Sequence, residues 1–184
     1  MVHYNRLNKI VVLFCIQMMI SCSSPTDDEN VVNINILRGS QLEAGYGMGV
    51  NSSEGRTDWL QDAGGYFRMS YPAGQTWGAV FITVGNPTQP PRPSKDFSAF
   101  KTLTVEMRGE LGGEQIEIGI KSNSQPDDGR ETKIPVTLTS QWVTYDFALN
   151  QFSGADLKNI YVAIEFVFAG TEAQIVYFRN VQYV

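Results

Sequence analysis

From Val31 to the C-terminus, short runs of β-branched and aromatic residues alternate with clusters of Gly, Pro, Asn and Asp, and no stretch of ten residues keeps a helical period. Turn residues that stop an extended run after a few positions leave little but strands to form, so the fold class is all-β. Strands are expected at Asn33 to Leu37, Gly65 to Tyr71, Trp77 to Val84, Thr102 to Arg108, Gln115 to Lys121, Thr132 to Leu138, Trp142 to Ala148, Ile160 to Phe168 and Ile175 to Val184. About nine strands in roughly 150 residues, with no internal repeat, fit one antiparallel two-sheet sandwich better than two small domains. The longest irregular stretches are 38 to 64 and 85 to 96, "GNPTQPPRPSKD". Loops of such length are functional more often than idle, although the second equally suits a stiff bridge between sheets.

The first 30 residues read differently. Arg6 and Lys9 precede the apolar run "IVVLFCIQMMI", which is too short to span a bilayer comfortably and reads as a secretory signal. Met19-Ile20-Ser21-Cys22 resembles the bacterial lipobox, where cleavage leaves a lipidated cysteine; an ordinary signal cut elsewhere is the alternative. The expected division is a signal at 1–21, a polar acidic tether at 22–30 containing "SSPTDDEN", and a folded domain at 31–184. An acidic run after the lipidated Cys resembles the surface-export signal of Bacteroidetes lipoproteins. It implies an anchor in the outer membrane, facing the cell surface.

The whole chain carries 14 basic and 19 acidic residues; without residues 1–21 these become 12 and 19, a net charge near −7. With no Lys/Arg cluster to offset it, this charge argues against nucleic acid as a partner. The same cut removes His3 and Cys15, the only His and the only Cys besides Cys22. No Ser-His-Asp or Cys-His site, His-ligated zinc or intrachain disulfide is then available, so catalysis would rest on carboxylates, Tyr or Lys.

The period of two sorts strand residues by face. Leu103, Val105 and Met107 oppose Glu106 and Arg108; Ile116, Ile118 and Ile120 oppose Glu117 and Lys121; Val162, Ile164, Phe166 and Phe168 oppose Tyr161, Ala163 and Glu165. Joined by "GELGG", the strands at 102–108 and 115–121 are expected to form an antiparallel hairpin, with Arg108 opposite Glu117 and Glu106 near Lys121. Such pairs are either exposed cross-strand ion pairs, worth about 0.2–1 kcal/mol each, or part of a binding surface.

Trp77 and Phe81 fall on the outward parity of their strand, as do Tyr66 and Arg68 of theirs, against buried Phe67, Met69 and Tyr71. Flat rings among Glu, Arg and Lys suit a sugar, whose C–H faces lie on aromatics and whose hydroxyls pair with charged groups. The competing readings are that Trp77 packs under a long loop, that Trp59 plugs the sandwich edge rather than lining a groove, and that Trp142 is framework at that edge. The expected ligand-binding set is Trp77, Trp59, Phe81, Tyr66, Arg68, Glu106, Arg108, Glu117, Lys121 and Glu165.

"SQWVTYDFAL", "DLKNIYVAIEFVF" and the closing "IVYFRNVQYV" resemble the second half of bacterial β-jelly-roll carbohydrate-binding modules of the galactose-binding-like type. "YPAGQTWGAVFITVG" is similar to a strand of modules attached to exo-acting β-glucanases. The resemblance covers about residue 31 to the end. It implies non-catalytic binding of a polysaccharide, with β-glucan one candidate, alongside other surface glycan-processing proteins. It also implies a structural calcium ion in many members. Arg179-Asn180 departs from the acidic pair found there, leaving Asn180 and Asp96 as oxygen donors with no calcium loop signature. Two alternatives stand beside it. One is a small jelly-roll glycoside hydrolase with paired Glu residues, although no E-x-D-x-x-E-like strand is present and neighbouring Arg and Lys would lower a general acid's pKa. The other is an assembly or adhesion subunit whose aromatic face meets protein.

Overall fold

The computed structural model describes residues 32–88, 91–123 and 131–184. The expected signal, Cys22 and the tether lie outside the described residues. In chain order the strands are β1 (Ile34–Arg38), β2 (Gln41–Leu42), β3 (Tyr46–Ser52), β4 (Leu60–Asp62), β5 (Phe67–Tyr71), β6 (Trp77–Val84), β7 (Thr102–Gly109), β8 (Gln115–Ser122), β9 (Ile134–Thr137), β10 (Val143–Ala148), β11 (Ile160–Ala169) and β12 (Gln174–Tyr183). Two 3-10 turns, Leu149–Gln151 and Leu157–Asn159, precede β11.

These strands form the expected two antiparallel sheets. One has five strands in the order β3-β6-β11-β8-β9; the other has seven, in the order β10-β7-β12-β1-β2 with β5 on β12 and β4 on β5. Strand β12 serves two neighbours along one edge, β5 at Gln174–Phe178 and β1 at Val181–Tyr183. At the change of partner Asn180 takes φ +50°, and its Oδ1 accepts from Gly39 N at 2.7 Å. Asn tolerates this left-handed backbone better than most residues.

The nine expected strands are all present, and the misreadings lie between them. Strand β3 falls inside the stretch expected to be irregular because Gly47 and Gly49 mask its alternation, and β2 and β4 are too short to carry a period. The expected hairpin does not form: β7 belongs to the seven-stranded sheet and β8 to the five-stranded one. The "GELGG" link crosses the end of the sandwich, with Gly112 and Gly113 at φ +88° and +96° and the Glu114 carboxylate accepting from the Leu111 and Gly112 amides. Both oily rows are buried in one core, where Phe166 of β11 meets Phe178 of β12 at a centroid distance of 4.2 Å. Parity predicts burial of such rows but not which sheet carries each.

Trp59 is 3% exposed and belongs to this core, edge-on to Tyr71 at 5.7 Å and Phe168 at 5.4 Å. Its indole N–H donates to Arg56 O at 3.0 Å, which makes a buried Trp tolerable. Strand β11 also departs from strict alternation. A register shift between Val162 and Ile164 turns Ala163 inward and Val162 outward, as a bulge does.

Candidate functional site

On the outer face of the five-stranded sheet the registers define cross-strand rows. Gly49, Phe81, Glu165 and Gly119 form one; Asn51, Ala79, Val167 and Glu117 the next; Gly47, Thr83, Val162 and Lys121 lie on the other side. Neighbours in a row stand about 4.8 Å apart, so Phe81 and Glu165 sit side by side.

Glycine at the outward positions of β3 and β8 lets those two side chains lie down. A methyl group at Gly49 would stand 2.5 Å from the Phe81 ring, and one at Gly119 would stand 2.5 Å from Glu165 Oε1. At Gly47 the obstruction is backbone, with Gly85 O at 2.6 Å and Asn86 Cα at 2.7 Å. The ring and the carboxylate thus occupy space that larger neighbours would take, and a hollow remains above them.

That hollow is a recess of about 690 Å³, floored by Phe81 and Glu165 and completed by Pro87, Thr88 and Arg92 of the 85–96 connection with Tyr161, Val162 and Lys121 of the sheet. The connection therefore both bridges the sheets and lines the recess. Tyr161 fixes it in place: its hydroxyl accepts from Thr88 N at 3.0 Å, and the Arg92 guanidinium lies 4.9 Å from its ring centroid. Lys121 Nζ is 2.6 Å from Glu131 Oε2, and Glu131 also holds Lys133 at 3.0 Å. Glu165 is only 5% exposed, deeper than a solvated outward row would place it.

Of the ten expected binding residues, Phe81, Lys121 and Glu165 line the recess. Trp77 and Glu117 share its sheet face; Trp77 is 43% exposed, so it does not pack under a loop. Four positions separate Trp77 from Phe81, about 13 Å along the strand. Trp59 is removed from the set by its burial. Arg68, Glu106 and Arg108 lie on the seven-stranded sheet, with Tyr66 immediately before its strand β5, so the single charged face expected from parity is two faces. Glu106 pairs there with Arg179 Nε at 2.7 Å and Asn180 Nδ2 at 2.8 Å, not with Lys121. Partial burial raises the Glu106 pKa, but the hydrogen bonds from Asn180 and Arg179, with the Arg179 charge, outweigh it and hold the carboxyl below its usual value. Trp142 is at the edge as expected, immediately before edge strand β10, with the Arg179 guanidinium 4.4 Å from its ring.

Asn51, Pro87, Thr88, Arg92, Tyr161 and Val162 line the recess without having been singled out. The available signals were the Pro-rich connection and the alternate glycines of "YGMGVNS". A second recess of about 460 Å³ beside the β7–β8 link has no aromatic lining, and its Glu114 carboxylate is engaged with backbone amides. Asp96 Oδ1 accepts from Ser98 N, and both ends of the Asn180 amide are engaged. Among the described residues no group of three or more His, Cys, Asp or Glu is placed to hold a metal ion.

No protein-family model and no curated protein matches the chain. Solved structures do. A family 30 carbohydrate-binding module of a cellulosomal cellulase of Clostridium thermocellum aligns with TM-score 0.60 and 16% identity, over 84% of this chain and 98% of that one. A further family 30 module aligns with TM-score 0.61 and 16% identity, over 84% and 99%. A family 29 module complexed with mannohexaose aligns with TM-score 0.57 and 15% identity, over 83% and 90%. At such identity the likeness establishes the fold: this chain has the β-sandwich of carbohydrate-binding modules.

Proposed function

We propose that this chain binds a polysaccharide, without cleaving it, in the recess on its five-stranded sheet. The observation that carries the reading is the row in which Phe81 and Glu165 lie side by side between two glycines. One offers an apolar surface for sugar C–H groups and the other a buried acceptor for hydroxyls. Arg92 and Lys121 add donors at the rim, and Trp77 lengthens the face for a chain running along β6. The carbohydrate-binding modules that share the fold support the reading. A β-linked glucan or mannan is the ligand class to try first. The lipobox-like Cys22 and acidic tether support an outer-membrane lipoprotein that holds glycan near the cell surface for other proteins to process.

The test is affinity electrophoresis through gels containing β-glucan, glucomannan or mannan. Retardation of the wild-type chain by at least one of them, lost in Phe81→Ala, is expected. Equal retardation of both would place the ligand elsewhere, and new reducing ends on incubation would restore the hydrolase alternative.

A further inference from the structure

We propose a second ligand site on the outer face of the seven-stranded sheet, one that takes the anionic group of an acidic sugar, a carboxylate or a sulfate ester, between Arg68 and Arg108. It uses none of the residues of the recess.

The register sets Arg68, Tyr177 and Arg108 side by side on β5, β12 and β7, so two guanidinium groups flank one ring. The Arg108 guanidinium lies 3.8 Å from the Tyr177 centroid and 5.5 Å from that of Trp142. Tyr66 meets both rings edge-on, each at 5.7 Å, and so supports the two aromatics that Arg108 lies against. A guanidinium stacked in this way keeps its edge free to present paired N–H groups to a planar or tetrahedral anion.

The hydrogen bonds show what those edges lack. Arg108 donates one bond, to Gly109 O at 3.1 Å, and Arg68 donates one, to Ser70 Oγ. Each guanidinium has five N–H groups, so most remain. Among the described residues neither arginine has a carboxylate within 4.0 Å. Arg179, on the same face, is different, since Glu106 neutralises it at 2.7 Å. Glu110, two residues beyond Arg108, is engaged elsewhere, its Oε2 accepting the Tyr177 hydroxyl. On a chain with 19 acidic residues and a net charge of −5, this face brings together two half-buried arginines without a carboxylate; the other such arginine among the described residues, Arg92, lies against Tyr161 in the recess. The half-buried rings of Trp142 and Tyr66 make the neighbouring surface suitable for a sugar ring. Charge complementarity thus selects an anion, and the aromatics select a pyranose to carry it.

Calorimetric titration of the full chain at low salt tests this with four probes: trigalacturonate, a sulfated galactan oligosaccharide, mannohexaose and poly-glutamate. Binding of trigalacturonate, the sulfated probe or both is expected, weakening as salt rises; the stronger of the two tells carboxylate from sulfate. The Arg68→Gln/Arg108→Gln variant keeps side-chain length and should bind the acidic sugar at least tenfold more weakly. Phe81→Ala should bind it as the wild type does. Thermal unfolding of the Gln variant close to that of the wild type shows that the face is still folded, and Arg108→Lys, which keeps the charge without the fork, should lie between. Absence of binding by both acidic sugars, or binding that survives the double substitution, would overturn the proposal. Poly-glutamate binding as strongly as the sugars would also overturn it and reassign the surface to acidic peptide. Mannohexaose is read only against Phe81→Ala, so the two sites can fail separately.

Discussion

The two outer faces of this sandwich obey the same alternation and come out unlike each other. On the five-stranded sheet, Phe81 and Glu165 are flanked by Gly49 and Gly119, so their side chains lie over the neighbouring strands and leave a hollow. On the seven-stranded sheet, Tyr177 is flanked by Arg68 and Arg108, and with Trp142 and Tyr66 nearby the side chains stack on one another. Parity decides only whether a residue points out of a sheet. Whether an outward row becomes a recess or a stack depends on the size of its cross-strand neighbours, and those are brought together by long-range pairing.

Substitutions that separate the faces from the core come first, because their effect is largest. Trp59→Ala should cost about 3–5 kcal/mol in urea unfolding as a buried aromatic truncation, whereas Trp142→Ala, on the stacked face, should cost about 1 kcal/mol. Equal costs would mean that Trp142 is as much core as Trp59. The glycine floor comes next. Gly47→Ala meets backbone at Gly85 and should destabilise by about 1–3 kcal/mol; Gly119→Ala meets the end of the Glu165 side chain and should cost less stability while displacing that carboxylate. If both alanines were neutral in unfolding and binding, the close packing of the floor would be wrong.

Phe81→Ala should weaken glycan binding by about 2 kcal/mol, roughly 30-fold, with unfolding nearly unchanged, since the ring lies on the surface of the sheet. The smallest effect belongs to the stacked face. Because the Glu106 carboxyl is held below its ordinary value of 4.5, its contribution is present above that pH and disappears as pH falls through the folded value. Wild type and Glu106→Gln should differ by about 1 kcal/mol at pH 7 and converge as pH falls below the folded value in parallel melts. A gap that widened toward acid would reverse the sign of the interaction.

Strands were legible wherever both parities were informative, as at Trp77 to Val84 and Gln115 to Lys121, whose ends coincide with those of β6 or fall one residue short of β8. Strand β3 was not, because its outward glycines carry no polarity and serve as floor under a ring and a loop from elsewhere in the chain. The candidate site was legible residue by residue at Phe81, Lys121 and Glu165. It was not legible as a grouping: Glu106 and Arg108 are adjacent in chain to a strand of the other sheet, and no local pattern reports the crossing. Val162 required the bulge at Ala163, which is a pairing irregularity without a signature in "IYVAIEFVF". Alternate glycines opposite an aromatic position are the transferable sign of a hollow sheet face.

The most direct measurement is a two-dimensional amide NMR titration of the chain with the neutral oligosaccharide best retained in the gels. Shifts concentrated on β3, β6, β8 and β11, strongest around Phe81, Val162, Glu165 and Lys121, are what the recess predicts. Shifts confined to β5, β7, β10 and β12, with the amides around Phe81 unmoved, would contradict it.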